Sequence, residues 1–222
     1  INEVTTENNT GLEQEQLLTI YNTDTSHSKE FTNARNYILF SSLTGLRIGD
    51  MVELHACKIE TYIVDNNKFK GFKTKIRKSP DNSTELFVII PLAEPLLETI
   101  KQNDNKFPKF PSKPVLGRQI KKFLKFLKFK DNVQYKERYY SEQGYRMENH
   151  EQHEVFGPHS CRYTFITNMS KLGIPESIVR NITHPTIQAR NILDGYNLST
   201  MQDNAYNLRK YLKKQNSEIY KY

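Results

Sequence analysis

Tryptophan is absent from these 222 residues, and cysteine occurs only as Cys57 and Cys161, with no C-x-x-C pair. Two thiols this far apart exclude a disulfide-stapled framework and imply no structural zinc site, so both read as reduced. No run of about eighteen apolar residues occurs, which by length excludes an obvious membrane-spanning helix. The N-terminus lacks the basic and apolar regions of a secretory signal, so the expectation is a soluble intracellular protein. Internal repeats are also missing. Acidic residues are in deficit: Lys and Arg number 32 against 25 Asp and Glu, a formal charge of +7 with a pI near 9.2. That balance favours a polyanionic partner, although ordinary soluble proteins carry similar charge, and charge alone selects none.

The length suits one good-sized domain, or one domain plus a tail. The chain opens on Ile1, and the expectation is a piece of something longer. Residues 1–12 are polar and acidic and are expected to fray. Helices are expected over Glu13–Asn22, Glu30–Ser42 and Leu46–Ala56 from apolar spacing, with a cap-rich loop at 23–29 and a break at Thr44-Gly45. Residues 58–92 change character. Three β-rich runs are separated by Asn66-Asn67 and Ser79-Pro80-Asp81-Asn82, which predicts a three-stranded antiparallel sheet. A helix over Ala93–Asn103 and a proline-studded loop over 104–114 follow. Fold class is therefore mainly α with a small antiparallel β-sheet (α+β).

Arg118–Lys130 places Ile120, Phe123, Leu124 and Leu127 on one helical face and Lys121, Lys122, Lys125 and Lys128 on the other. A membrane-surface helix has this pattern. So does a core helix with solvated lysines, the reading preferred inside a globular chain. Residues 131–157 read as a short helix and a loop; His150 and His153 there match no specific metal spacing. An amphipathic helix is expected over 199–214, then a polar tail.

The stretch 155–198 holds the most chemistry. His159 and Arg162 stand three apart at the start of a helix expected over Ser160–Leu172, so both project from its first turn, where unpaired N–H groups favour an anion. Gly173 stops that helix and Pro175 opens the next, over Glu176–Asn181. His184 follows, and Tyr196 closes the stretch. A cation, two proton-transfer groups and a phenol suggest chemistry on a phosphate. An H-x-x-R pair alone occurs by chance in many helices, and one tyrosine among 13 means little.

Two separated stretches resemble one family. Residues 43–54, LTGLRIGDMVEL, resemble the T-G-L-R-x-x-E-L segment of tyrosine recombinases, the phage integrase family, with Asp50 in place of glutamate. HSCRYTFI at 159–166 resembles its H-x-L-R-H-T-F segment, and KLGIPESIVRNITH resembles its G-x-x-x-x-x-I-x-x-x-x-G-H segment. Lys73, between the β runs, resembles the family's β-hairpin lysine, with Lys75 and Lys78 in the same hairpin. The order arginine, lysine, H-x-x-R, histidine, tyrosine is reproduced over about residues 13–212. Departures are Cys161 for leucine, Tyr163 for histidine, Thr183 for glycine, and a longer than usual spacing from His184 to Tyr196, for which Tyr206 is the second candidate.

The resemblance implies a metal-independent, cofactor-free enzyme that cleaves and rejoins double-stranded DNA. Tyr196 would attack the scissile phosphate and form a 3′-phosphotyrosyl link. Arg47 and Arg162 would grip non-bridging oxygens, for which guanidinium forks are suited. Lys73 would protonate the leaving 5′-oxygen, His159 would accept the phenol proton or donate to phosphate, and His184 would donate to the transition state. Asp50 either supports a site cation or is a plain helix-surface aspartate. Lys75, Lys78, Lys121 and Lys122 are candidates for DNA-backbone contacts. The resemblance further implies a catalytic domain over 13–198 and a C-terminal helix and tail over 199–222 open to exchange between protomers of a DNA-bound tetramer. A DNA-clamping N-terminal domain would lie outside this chain. The compartment would be a bacterial or viral-host cytoplasm, or the nucleus for a eukaryotic host. A type IB topoisomerase or a telomere resolvase shares the constellation, and a DNA-binding accessory protein with a decayed site is the alternative of another class. For single residues, Arg47 as a helix cap, His184 as a turn residue before Pro185 and Tyr196 as core packing stay open.

Overall fold

The computed structural model describes residues 11–76, 86–139, 144–185 and 201–222. It is mainly helical with small antiparallel sheets, as composition and patterning suggest. In chain order its elements are α1 (Gln14–Asn22), α2 (Lys29–Thr44), α3 (Ile48–Met51), a 3-10 turn (Leu54–Ala56), β1 (Glu60–Val64), β2 (Asn67–Ile76) and β3 (Leu86–Pro91). These lead to α4 (Glu94–Gln102), α5 (Lys113–Phe126), β4 (Asn132–Tyr139), β5 (Gly144–Glu151), α6 (Gln152–Val155), α7 (Pro158–Lys171), α8 (Glu176–Thr183) and α9 (Met201–Lys213).

Helix α2 is the axis of the core. Its N-cap Ser28 accepts from the Phe31 N–H at 3.3 Å, and every residue from Ala34 to Thr44 is buried. A helix buried on all sides packs against several partners, here α1, α4, α5 and α7. Burial of side chains such as Leu39 and Phe40, each worth about 1.5–3 kcal/mol, offsets carrying Ser41, Ser42 and Thr44 inside. Two of those hydroxyls are satisfied locally: Thr44 Oγ1 donates to the Phe40 carbonyl at 2.6 Å, and Ser41 Oγ to that of Leu46 at 3.1 Å.

The sheet follows the alternation in the sequence. Strands β1 and β2 are joined by Asp65 and Asn66 at φ 48° and 61°, a two-residue turn with both residues left-handed that matches the natural strand twist. Alternation along β2 sends Phe72, Thr74 and Ile76 inward, and Lys73 and Lys75 to solvent. Phe72 and Ile76 join the main core, whereas Phe69, with Tyr62 and Ile89, forms a smaller cluster closed by Ala205 of α9.

Several expectations are corrected. The helix expected over Leu46–Ala56 is only α3 and a 3-10 turn. Helix α5 starts at Lys113 rather than Arg118, because Pro114 suits a first helical turn, where its missing N–H is not needed. Residues 131–157 are mostly a hairpin: β4 pairs with β5 from Asn132↔Glu151 to Tyr139↔Gly144. Polar and charged residues dominate both strands, so little hydrophobic period is there to read. Residues 11–12 are no frayed end: Leu12 is buried and its N–H donates to Thr164 Oγ1 at 3.0 Å. Nor is the C-terminus a polar tail. Ile219 and Tyr220 are buried, and Tyr220 donates its hydroxyl proton to the Ser42 carbonyl at 3.2 Å.

Candidate active site at the α2, α7 and α8 junction

Helix α2 ends at Gly45, whose φ of +70° is the left-handed geometry that lets the chain turn sharply. The glycine is also required by space. A Cβ there would lie 2.5 Å from Phe165 Cδ1 and 2.9 Å from Thr183 Cγ2. The turn is therefore pressed against α7 and the end of α8. Two residues later Arg47 is half-buried, and its backbone N–H donates to Asp50 Oδ2 at 3.2 Å. Asp50 is 1% exposed, so it is not a helix-surface aspartate.

Helix α7 begins with Pro158, after Gly157, and presents His159 to solvent and Arg162 to the interior. Arg162 is 4% exposed. A buried guanidinium is stable only if its donors are used. Nη1 donates to the Gly45 carbonyl at 2.5 Å; Nη2 donates to the Thr183 carbonyl at 2.6 Å and faces His184 Nε2 at 3.2 Å. One side chain thus ties together the end of α2, the first turns of α7 and the end of α8. The remaining Arg162 protons, on Nε and Nη1, have no partner among the described residues.

The electrostatics reinforce this grouping. Burial and then Arg47 push the Arg162 pKa down to about 10, opposed by Asp50, so Arg162 stays cationic at neutral pH. Burial, then Arg162, Arg47 and Arg180, push His184 down to about 4. His159 is lowered by burial, Arg162, Arg47 and Lys113. Both histidines are therefore neutral beside two arginines. Groups that disfavour another positive charge are disposed to take a negative one. The imidazole of His159 also meets the Tyr163 ring edge-on at 4.8 Å.

Arg47, Asp50, His159, Arg162 and His184 are brought together. The Lys73 ammonium lies on the exposed side of β2, 4.6 Å from the centre of the Phe87 ring, and Lys75 is exposed on the same strand. Lys121 and Lys122 lie on the solvent side of α5, with Lys122 paired to Glu30 at 3.2 Å. Tyr206, on α9, stacks on Phe69 at 6.5 Å, with the Lys210 ammonium 5.9 Å from its ring. Tyr196 and Lys78 fall outside the described residues. Sequence reasoning missed three neighbours. Arg180 could have been found as the residue four before His184 on the same helix; Lys113 and the hydroxyl of Thr183 carry no local signal.

Among the described residues, no group of three or more His, Cys, Asp and Glu side chains is arranged to hold a metal ion. His153 is instead buried, with Nδ1 3.3 Å from the Phe129 carbonyl and from Glu151 Oε2. No described helix is long and apolar enough to cross a membrane.

No known protein family profile matches the chain, and no curated protein matches it. Among solved structures, it is similar to a fragment of the Tn1549 transposon integrase in complex with circular intermediate DNA. Identity is 16% and the TM-score 0.46, over 93% of this chain and 67% of that one. It is also similar to a single-substitution form of that fragment with transposon right end DNA, at 16% identity and a TM-score of 0.38, over 95% and 68%. These are similarities of chain course, and they assign no residue a role here.

Proposed function

We propose that this chain is the catalytic part of a site-specific DNA recombinase that cleaves and rejoins DNA through a phosphotyrosyl intermediate, integrating or excising a mobile element. The observation that carries the reading is the convergence on Arg162. A buried cation, fixed by two backbone carbonyls, shares its field with Arg47 and with two histidines held neutral. That set supplies what metal-free phosphoryl transfer demands: preorganised positive charge for the phosphorane and uncharged proton carriers beside it.

In this reading Tyr196 attacks the phosphorus, its proton passing to His159. The 5′-oxygen departs with a proton from Lys73, and the strand remains as a 3′-phosphotyrosine. A 5′-hydroxyl then attacks that link in the reverse direction, restoring the phosphodiester and the phenol. Arg47 and Arg162 neutralise the non-bridging oxygens and Asp50 steadies the Arg47 turn. Lys75, Lys78, Lys121 and Lys122 add phosphate-backbone attraction, which falls with salt. The catalytic unit spans 13–198. Segment 199–222, whose described residues 201–222 pack on their own chain, would be the part exchanged in a DNA-bound tetramer.

The test is a nicked suicide duplex built from the ends of the element that carries the gene, incubated in EDTA and run on a denaturing protein gel. A covalent protein–DNA band in the parent that is absent in Tyr196→Phe is the expected result. A band that survives in Tyr196→Phe moves the nucleophile, with Tyr206→Phe next. DNA binding with no band, in this chain and in the full-length protein, refutes cleavage and favours an accessory DNA-binding role.

A further inference from the structure

His184 ends α8 with both ring nitrogens engaged, and the donors and acceptors around it permit one arrangement. Nε2 faces Arg162 Nη2 at 3.2 Å. A guanidinium carries only donors, so Nε2 has no room for a proton and must accept. The neutral ring then holds its proton on Nδ1, which lies 3.0 Å from Thr183 Oγ1. Thr183 Oγ1 has one proton of its own, and it goes to the Val179 carbonyl at 2.8 Å. The chain closes without an unpaired group: Arg162 donates to His184, His184 to Thr183, and Thr183 to Val179. Thr183 is itself 2% exposed and packs its methyl by Gly45, so the hydroxyl has little freedom to turn away.

We propose that Thr183 is a positioning residue that holds His184 in its Nδ1–H tautomer, making the imidazole an acceptor that braces Arg162 rather than a donor to the phosphate. The consequence for DNA cleavage rests on the function proposed above; the tautomer does not. Second partners of this kind fix which imidazole nitrogen is available, and a hydroxyl in the preceding residue is a short route to it. The donor role that the resemblance implies for His184 is thereby reassigned to the two arginines. A glycine at position 183 would remove the acceptor for Nδ1–H and leave the ring free to turn off Arg162, with the tautomer then unspecified.

The test is a long-range nitrogen–proton NMR correlation on the uniformly labelled chain at neutral pH, with His184 identified by its loss in His184→Gln. The parent is expected to show Nδ1 protonated and Nε2 unprotonated; a protonated Nε2 overturns the proposal. Thr183→Val keeps the methyl packing and removes the acceptor for Nδ1–H, which lets the ring turn off Arg162, and is expected to move part of the population to Nε2–H. Thr183→Ser keeps the hydroxyl and should restore it. An unchanged tautomer in Thr183→Val refutes the role of the hydroxyl, and Thr183→Ala repeats the comparison if the valine variant does not fold. Adduct formation on the suicide duplex is read in parallel and should be slower in Thr183→Val than in Thr183→Ser. No adduct from any variant would sink the recombinase reading while leaving the tautomer result standing.

Discussion

Replacing Gly45 with alanine isolates what holds the site together, because Gly173 provides a matched control. Both glycines follow helices and both have positive φ, +70° and +66°. Left-handed backbone at a residue with a Cβ costs about 1–2 kcal/mol, so each substitution carries that strain. Each also gains the same small stabilisation from a less flexible unfolded chain, which cancels in the comparison. They differ in space. A Cβ at Gly173 meets nothing within 4 Å, whereas at Gly45 it falls 2.5 Å and 2.9 Å from Phe165 Cδ1 and Cε1 and 2.9 Å from Thr183 Cγ2. Phe165 is fully buried and cannot swing aside, and forcing extra volume into such a core costs about 1–3 kcal/mol. Gly45→Ala should therefore be less stable than Gly173→Ala by about 1–3 kcal/mol, measured by urea unfolding. For a chain of this size that lowers the midpoint of thermal unfolding by about 2–4 °C per kcal/mol. On the proposed function, the variant should also lose DNA cleavage before it loses fold, because the Gly45 carbonyl that moves is an anchor of Arg162. Equal destabilisation by the two substitutions would refute the close packing of the turn on α7 and α8.

His184 should titrate by NMR with a midpoint near 4, and both His184 and His159 should titrate higher in Arg47→Ala, since a cation leaves both fields. The linkage sign follows: with the folded pKa below the unfolded value of about 6.5, the unfolded chain binds more protons between them, so the His184 contribution is lost as pH falls through that window. His184→Gln should flatten that part of the stability profile relative to the parent, and an unchanged slope would contradict it. Arg162→Ala should cost about 1–3 kcal/mol for each of the Gly45 and Thr183 carbonyls it orphans, read by urea unfolding, and should abolish the covalent adduct. Tyr220→Phe keeps the ring but strips the bond to the Ser42 carbonyl and the acceptor for Asn168 Nδ2 at 3.3 Å; a loss of about 1–3 kcal/mol is expected, and no loss would mean the tail does not secure α2.

Where structure depends on neighbours in sequence, the chain was legible. Period-3.6 patterns marked α1, α2, α4 and α7 within a few residues, and Asx-rich runs marked the turn between β1 and β2. The hairpin of β4 and β5 was not legible, because its strands are mostly polar and charged and show little apolar alternation. Helix α5 was legible in its faces but not in its start.

By itself, the sequence determined the charge balance, the sheet in the middle of a helical chain, the glycine stop after α2, and the pairing of His159 with Arg162 at one helix start. All depend on spacings of a few residues, over which backbone geometry fixes who faces whom. Only the tertiary structure decided that Arg162 is anchored by carbonyls of Gly45 and Thr183, that Asp50 is buried, and that Tyr220 belongs to the core. It also decided that the hydroxyl of Thr183 sits against the ring of His184. Those contacts join α2, α7 and α8 across long stretches of chain. Which carbonyl a buried cation meets is set by how helices pack around a shared core, and side-chain spacing carries no record of it.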